Sequence, residues 1–340
     1  MQGAQVIGQR RLRLALPWVS DATSAVTSDG GVAVRLPAAE WLAARGEPHP
    51  STVTSWRQWL LAGVGVDSDA LERLPAGPCV YVERNGATPH GTWACARPVH
   101  LLTALDHLQL SPEPIVLDPD ETAALTADLN RHLQGTGFQV HSADAGEWLL
   151  ECAGSIECTT IEPADAAGRN LRDLMPAGRD GARVRSLMNE LQMLLHEHPV
   201  NERRAVRGAP GVNSLWFWGF GTADQPARVE LPPLFTDDPW LAGLWLAHGA
   251  ESRALNDFGL PANMDAPVTL LGWSSPPAAS GPAECLAAAE AKCFAPARAA
   301  LAAGRADQVA MLLGDRAIDT SRNARLFIWR RARPLAEVLA

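Results

Sequence analysis

Ala182-Arg-Val-Arg-Ser-Leu-Met-Asn-Glu-Leu-Gln-Met-Leu-Leu-His-Glu-His198, followed after a polar stretch by Ser214-Leu-Trp-Phe-Trp-Gly219, decides the class of this fold. In the first segment Val184, Leu187, Met188, Leu191, Leu194 and Leu195 recur at helical spacing and make one apolar face. Pro199 ends that pattern. In the second segment Trp216 and Trp218 share one strand face, with Leu215 and Phe217 on the other. Both faces are apolar, so the sequence predicts a central, buried strand. Gly219-Phe-Gly221 closes it.

Outward from this stretch, helix and strand patterns alternate. Strands are expected at Arg11 to Pro17, Cys79 to Val82, Val268 to Gly272, Gln308 to Leu313 and Arg325 to Arg330, with a hairpin from Phe138 to Cys152. Helices are expected at Ala38 to Arg45, Ser55 to Ala62, Asp118 to Gln134, Pro239 to His248 and Pro282 to Ala303. Asp118, Pro119 and Glu121 form a helix start, and Gly135-Thr-Gly137 a stop. Val99 to Leu110 reads as helical or irregular, and Val200 to Asn213 as a polar loop carrying Arg203, Arg204 and Arg207. The economical class is α/β, with a central mixed, largely parallel sheet flanked by helices. The expected organisation is an N-terminal α/β lobe over 1–165 with the hairpin, and a C-terminal α/β lobe over 166–340, the two forming one compact unit as the alternative.

Composition removes several chemistries. The chain has 340 residues and a net charge of −9, which disfavours nucleic acid as a partner. The arginines at 322, 325, 330, 331 and 333 read as a solvated edge strand. No apolar run reaches the roughly 20 residues that a membrane span needs, and Met1 to Arg13 lacks the apolar stretch of a signal peptide. A cytoplasmic location with no membrane partner is therefore expected. Lys292 is the only lysine beside 28 arginines and lies in a helical run, which excludes Schiff-base and P-loop chemistry. Six cysteines show no C-x-x-C pair, so neither a zinc site nor any other cofactor is expected. The nucleophile elbow, the dinucleotide fingerprint and H-E-x-x-H do not occur.

The remaining site candidates are few. His196 and His198 project about 160° apart on a helix and cannot share a metal there. His198 falls on the apolar face, where a satisfied core histidine is the ordinary case. Asn189, Gln192 and His196 form a polar stripe. Arg97, His100, Asp106 and His107 form a second polar cluster, in which Asp106 is placed to orient a histidine. Gly219 and Gly221 would form the lip of a pocket if the Ser214 strand lies in a parallel sheet, because ligands gather at the leaving ends of such strands.

The run Asn189-Glu-Leu-Gln-Met-Leu-Leu-His-Glu-His-Pro-Val-Asn201, with Val212-Asn-Ser-Leu-Trp-Phe-Trp-Gly219, resembles the RpfE-type regulatory proteins of proteobacteria, also labelled cofactor-independent phosphoglycerate mutase-like. Ala167-Gly-Arg-Asn-Leu171, Pro176-Ala-Gly178, Pro98-Val-His-Leu101, Asp106-His107 and the region of Trp329 carry the same resemblance. The mutase label implies an alkaline-phosphatase-like fold, two metal ions and a serine nucleophile. This chain departs from that pattern. No Asp-Gly-x-x-Asp opening follows the first strand, no histidine follows His248, and Phe220 separates the two glycines. A degenerate version of the arrangement, with no metal ligands, is therefore expected. The expected function is a ligand- or partner-binding role without metal-dependent catalysis, the partner being a small anionic ligand or another protein. Asn201, Asn213, Gly219, Gly221, His100 and His107 are the candidate ligand-binding residues. The alternative is a phosphomonoester-handling enzyme, an isomerase or phosphohydrolase, using His196 or His198 with Asn201 and Asn213. A structural oligomer is the third possibility.

Overall fold

A computed structural model of the chain describes residues 9–28, 34–51, 55–64, 75–103, 108–111, 114–143, 148–223, 230–258, 266–276, 280–327 and 329–339. The chain divides into two compact units, Met1–Glu72 with Arg228–Ala340, and Arg73–Ala227. The division expected at residue 165 falls inside the second unit. There Trp148–Cys152 and Ser214–Thr222 both pair with Thr92–Val99, which binds segments from either side of that position into one sheet.

The first unit is built on a seven-stranded sheet. Its order is Ser252–Arg253, Leu234–Thr236, Val268–Gly272, Arg11–Leu16, Gln308–Leu313, Arg316–Ser321 and Glu47–Pro50. The first five strands are parallel to their neighbours, and the last two pair antiparallel. Strands buried on both faces need apolar side chains at every position, as Leu14, Ala15, Leu16, Leu270, Leu271, Met311 and Leu313 supply. Helices Val19–Ser28, Pro37–Arg45, Pro282–Ala289 and Ala295–Ala302 contribute Val19, Leu42, Leu286 and Leu301 to the same core. The mixed, largely parallel α/β class is therefore correct. Among the described residues, no helix is long and apolar enough to cross a membrane.

The second unit carries a four-stranded antiparallel sheet ordered Phe138–His141, Trp148–Cys152, Thr92–Val99, Ser214–Thr222. Ser214–Thr222 ends that order, which corrects the expectation of a central strand. It is buried all the same. Helices Ala76–Asn85 and Gly181–His196 pack on it, and Leu215, Trp216 and Phe217 are inaccessible. Helix Pro119–His132 begins with the expected capping box, Asp118 Oδ1 accepting from Glu121 N at 2.7 Å and Glu121 Oε2 from Asp118 N at 3.2 Å.

Three local readings change. Cys79 to Val82 lies inside the helix Ala76–Asn85, which ends at Gly86 with φ 65°. The described residues of Arg325 to Arg330 form no strand; a 3₁₀ turn covers Arg322–Leu326, and Arg316–Ser321 is the last strand among the described residues. Leu101–Thr103 and Leu108–Leu110 pair as a short hairpin where helix or irregular structure was expected.

The cysteines form no disulfide, and five of the six are buried. Burial raises the Cys152 thiol to about 12 and pushes Cys293 up as well. Cys158 is the partly exposed one, and desolvation raises it too. We expect a disulfide reagent to label one thiol slowly in the native chain and six in denaturant. Rapid labelling of two or more native thiols would contradict the packing.

Candidate functional site

Parallel strands present their carboxyl ends along one edge, and open α/β sheets bind ligands there. In the first unit that edge is formed by Pro17 and Trp18 after the first strand, Asp237 and Asp238 after Leu234–Thr236, and Trp273 and Ser274 after Val268–Gly272. Trp18 and Trp273 meet edge to face at 5.2 Å, and Trp18 Nε1 donates to the Trp273 carbonyl at 3.1 Å. Two indoles thus occupy the positions beyond the central strands.

The two carboxylates differ sharply. Asp238 is buried and heads the helix Pro239–Ala247, Oδ1 accepting from Leu241 N at 2.8 Å. Arg57 grips the same carboxylate. Its Nη2 donates to Oδ2 at 2.6 Å, and its Nε lies 3.2 Å from each oxygen. The guanidinium stacks between Trp56 and Trp240, at 4.9 and 5.3 Å from the ring centres. Asp237 is exposed at the lip and accepts from Ser274 N at 2.7 Å. The protein packed around its carboxyl lifts it above the usual range, against the lowering effect of the Ser274 hydrogen bonds.

This donor set does not fit a pair of divalent cations. Both oxygens of Asp238 are committed to a guanidinium and a backbone amide. Among the described residues, no three His, Cys, Asp or Glu side chains gather as metal ligands.

The residues expected around the Ser214 strand all lie in the second unit, and most act as structural ties. His196 ends its helix exposed, whereas His198 is 5% accessible. His198 Nδ1 accepts from Val200 N at 3.2 Å as the cap of Pro199–Val206. Its Nε2 therefore carries the proton and donates to Asp128 Oδ2 at 3.1 Å. Both ring nitrogens are committed, which leaves no lone pair to act as a base.

Asn201 donates to the carbonyls of Leu195 and Val212 and accepts from Val212 N, each at 2.7 Å. Asn213 accepts from Leu101 N at 2.7 Å and donates to Leu101 O at 2.9 Å. These amides extend backbone pairing, as Asn130 does with Val140. The loop expected at Val200 to Asn213 begins as a helix, and two of its three arginines are also bound. Arg204 and Arg207 both donate to the buried Glu121, Arg204 at 2.6 Å.

Gly219 and Gly221 stand where the strand is closely packed. A Cβ on Gly219, where φ is 65°, would lie 2.6 Å from Ala76 Cβ, and one on Gly221 2.2 Å from Pro75 Cγ. Because this strand is in an antiparallel sheet, the rule about leaving ends does not apply to it. We expect Gly219→Ala to destabilise the second unit by about 1–3 kcal/mol from overpacking, plus the strain of a positive φ, read by urea unfolding. A neutral result would show that the Ala76 helix does not sit against this turn.

His100 lines a cavity. Arg97, His100, Leu110, Ser111, Ile115 and Pro163 are part of the wall of a space of about 210 Å³. His100 Nδ1 donates to Gly211 O at 2.7 Å, which fixes the ring and leaves Nε2 as the acceptor nitrogen. His107 and Asp106 lie outside the described residues.

No family model matches the chain. Curated proteins do. A probable 2,3-bisphosphoglycerate-independent phosphoglycerate mutase of Geobacter sulfurreducens is 35% identical over 77 residues, 23% of this chain and 19% of that protein. The corresponding mutase of Methanothrix thermoacetophila is 26% identical over 142 residues, 42% of this chain and 36% of the other. That of Methanosarcina mazei is 37% identical over 113 residues, 32% and 28% of the two chains. The relatives are phosphoglycerate mutases. The matches cover about a fifth to a third of those mutases' own length. Among solved structures, the PH0037 protein of Pyrococcus horikoshii aligns over 93% of this chain and 88% of its own, at 14% identity and a TM-score of 0.49. The cofactor-independent phosphoglycerate mutase of Thermoplasma acidophilum aligns over 92% and 89%, at 16% identity and a TM-score of 0.38.

Arg57, Asp237 and Asp238 were not among the residues expected from sequence. A signal was present: Asp237-Asp238-Pro239 directly follows a short apolar run, the pattern of a strand end feeding a capped helix.

Proposed function

We propose that this chain is a phosphoglycerate-mutase-like protein that binds a small anionic ligand without metal-dependent turnover. One observation carries the reading: Asp238, the buried carboxylate at the leaving edge of the parallel sheet, is neutralised by Arg57 and spent on a helix cap. A carboxylate held in that way has no lone pair directed at a cation. Recognition of the ligand is assigned to the cavity that Arg97 and His100 line: the basic Arg97 would favour the anionic group there, and His100 Nε2, the acceptor nitrogen, would take a ligand hydroxyl. The regulatory role implied by the RpfE-type resemblance belongs to the same reading.

The experiment is to incubate the full chain with 3-phosphoglycerate and Mn²⁺ or Zn²⁺, and to follow 2-phosphoglycerate formation beside calorimetric binding of 3-phosphoglycerate. Binding without isomerisation is expected, weakened at least tenfold by His100→Ala with Arg97→Met, since charge-assisted hydrogen bonds contribute about 1.5–3 kcal/mol each. Metal-dependent turnover would overturn the proposal.

A second reading is favoured by the identity to mutases. In it the chain handles a phosphomonoester, and the exposed Asp237 at the leaving edge, rather than His196 or His198, would be the acid–base group. Turnover in the same assay, lost in Asp237→Asn, would establish it.

A further inference from the structure

The segment Arg322 to Pro334 holds five arginines and no acidic residue, in a chain whose net charge is −9. It also exposes apolar side chains: Leu326 is 62% accessible and Trp329 69%. Trp329 meets Phe327 edge to face at 5.4 Å, and the Arg330 guanidinium lies 5.1 Å from the Phe327 ring centre. Arg331 and Arg333 are exposed.

The basic face extends beyond the segment. Arg330 Nη1 donates to the Gly46 carbonyl at 3.3 Å, next to Arg45. Arg45 and Arg298 both stack on Trp41, at 4.8 and 5.1 Å from its centre. Arg45 Nη1 is buried without a hydrogen-bond partner, and burial together with Arg298 lowers this guanidinium. The acidic groups on the same and adjoining elements include Asp307, 3.8 Å from Arg322 Nη1, the exposed Glu47 and Glu337, Glu40 held by Arg35, Glu290 on the amides of Ala38 and Ala39, and Asp319 beside His49.

We propose that the exposed Leu326, Trp329, Arg330, Arg331 and Arg333 form a peripheral docking surface for an anionic lipid bilayer. Guanidinium groups meet lipid phosphates, while an indole and a leucyl side chain enter the headgroup boundary, where amphipathic rings are favoured. Leu326 separates this partner from nucleic acid, because bases stack on aromatic rings and gain nothing from an exposed aliphatic side chain. The opposing charge on the rest of the chain acts weakly at the contact, since charges beyond a Debye length of about 8 Å are screened. A peripheral contact needs no spanning segment.

The test is flotation of the full chain with vesicles of phosphatidylcholine, with or without one third phosphatidylglycerol, at low and high salt. Binding is expected only to the anionic vesicles, with about 0.15 M as the low salt, and is lost at about 1 M, where the Debye length falls to about 3 Å. Each arginine near the surface contributes roughly fivefold, so Arg331→Ser with Arg333→Ser should weaken binding on the order of 25-fold. Trp329→Ala should weaken it at any salt concentration where binding is measurable. These side chains are exposed, so unchanged thermal unfolding of the variants is the control. Failure to float with anionic vesicles, or unchanged flotation of both variants, would overturn the proposal. So would displacement from the vesicles by a single-stranded oligonucleotide at equal phosphate concentration, which would assign the face to nucleic acid.

Discussion

Asp238→Ala is expected to lower the stability of the first unit by about 3–5 kcal/mol, the usual cost of removing one partner from a buried ion pair. Arg57, still held between Trp56 and Trp240, would lose this buried carboxylate, and the helix Pro239–Ala247 would lose its cap. Arg57→Ala should cost a similar amount, because Asp238 would keep only its backbone donors. The double replacement Arg57→Met with Asp238→Leu should recover most of the loss, since apolar residues of similar volume often match a buried pair. Urea unfolding of the four proteins, read by tryptophan fluorescence, compares their stabilities. A loss below about 1 kcal/mol in either single variant is the size of a surface pair and would contradict the burial described here.

Glu121→Ala should be comparably damaging in the second unit. Glu121 is buried, closes the capping box at Asp118, and accepts from both Arg204 and Arg207. Its removal strands the buried Arg204, whose other contacts are the carbonyls of Val116 and Pro210. About 3–5 kcal/mol is again expected. Glu121→Gln keeps an acceptor and should retain part of it. Hydrogen exchange should show the helices Pro119–His132 and Pro199–Val206 losing protection together, because this carboxylate joins them. Loss of protection in only one helix would disprove the tie.

The parallel sheet was legible because its strands are short apolar runs separated by amphipathic helices, as at Val268–Gly272 and Gln308–Leu313. Cys79 to Val82 was misread because three β-branched or aromatic residues in four look like a strand. Packing against Thr92–Val99 and Ser214–Thr222 overrides that local preference. Pro199 was read only as a helix stop. It also stands at the first position of the next helix, a place that proline favours, with His198 as the cap.

The candidate site was hidden for a different reason. Imidazoles and amides draw attention in a sequence, yet His198 is taken up by the nearby Val200 amide and the remote Asp128 carboxylate, Asn201 by the backbone of Leu195 and Val212, and Asn213 by the backbone of Leu101, 112 residues away. Nothing local reveals such partners. Arg57 and Asp238 are 181 residues apart, and only the sheet brings them together.

The central claim is that Asp238 belongs to Arg57 and not to a cation. Titrating the full chain with Mn²⁺, followed by electron paramagnetic resonance of the free ion, tests it directly. No tight site is expected, and the free-ion signal should be the same in wild type and Asp238→Asn. One or two equivalents of bound Mn²⁺ in the wild type, lost in Asp238→Asn, would contradict it.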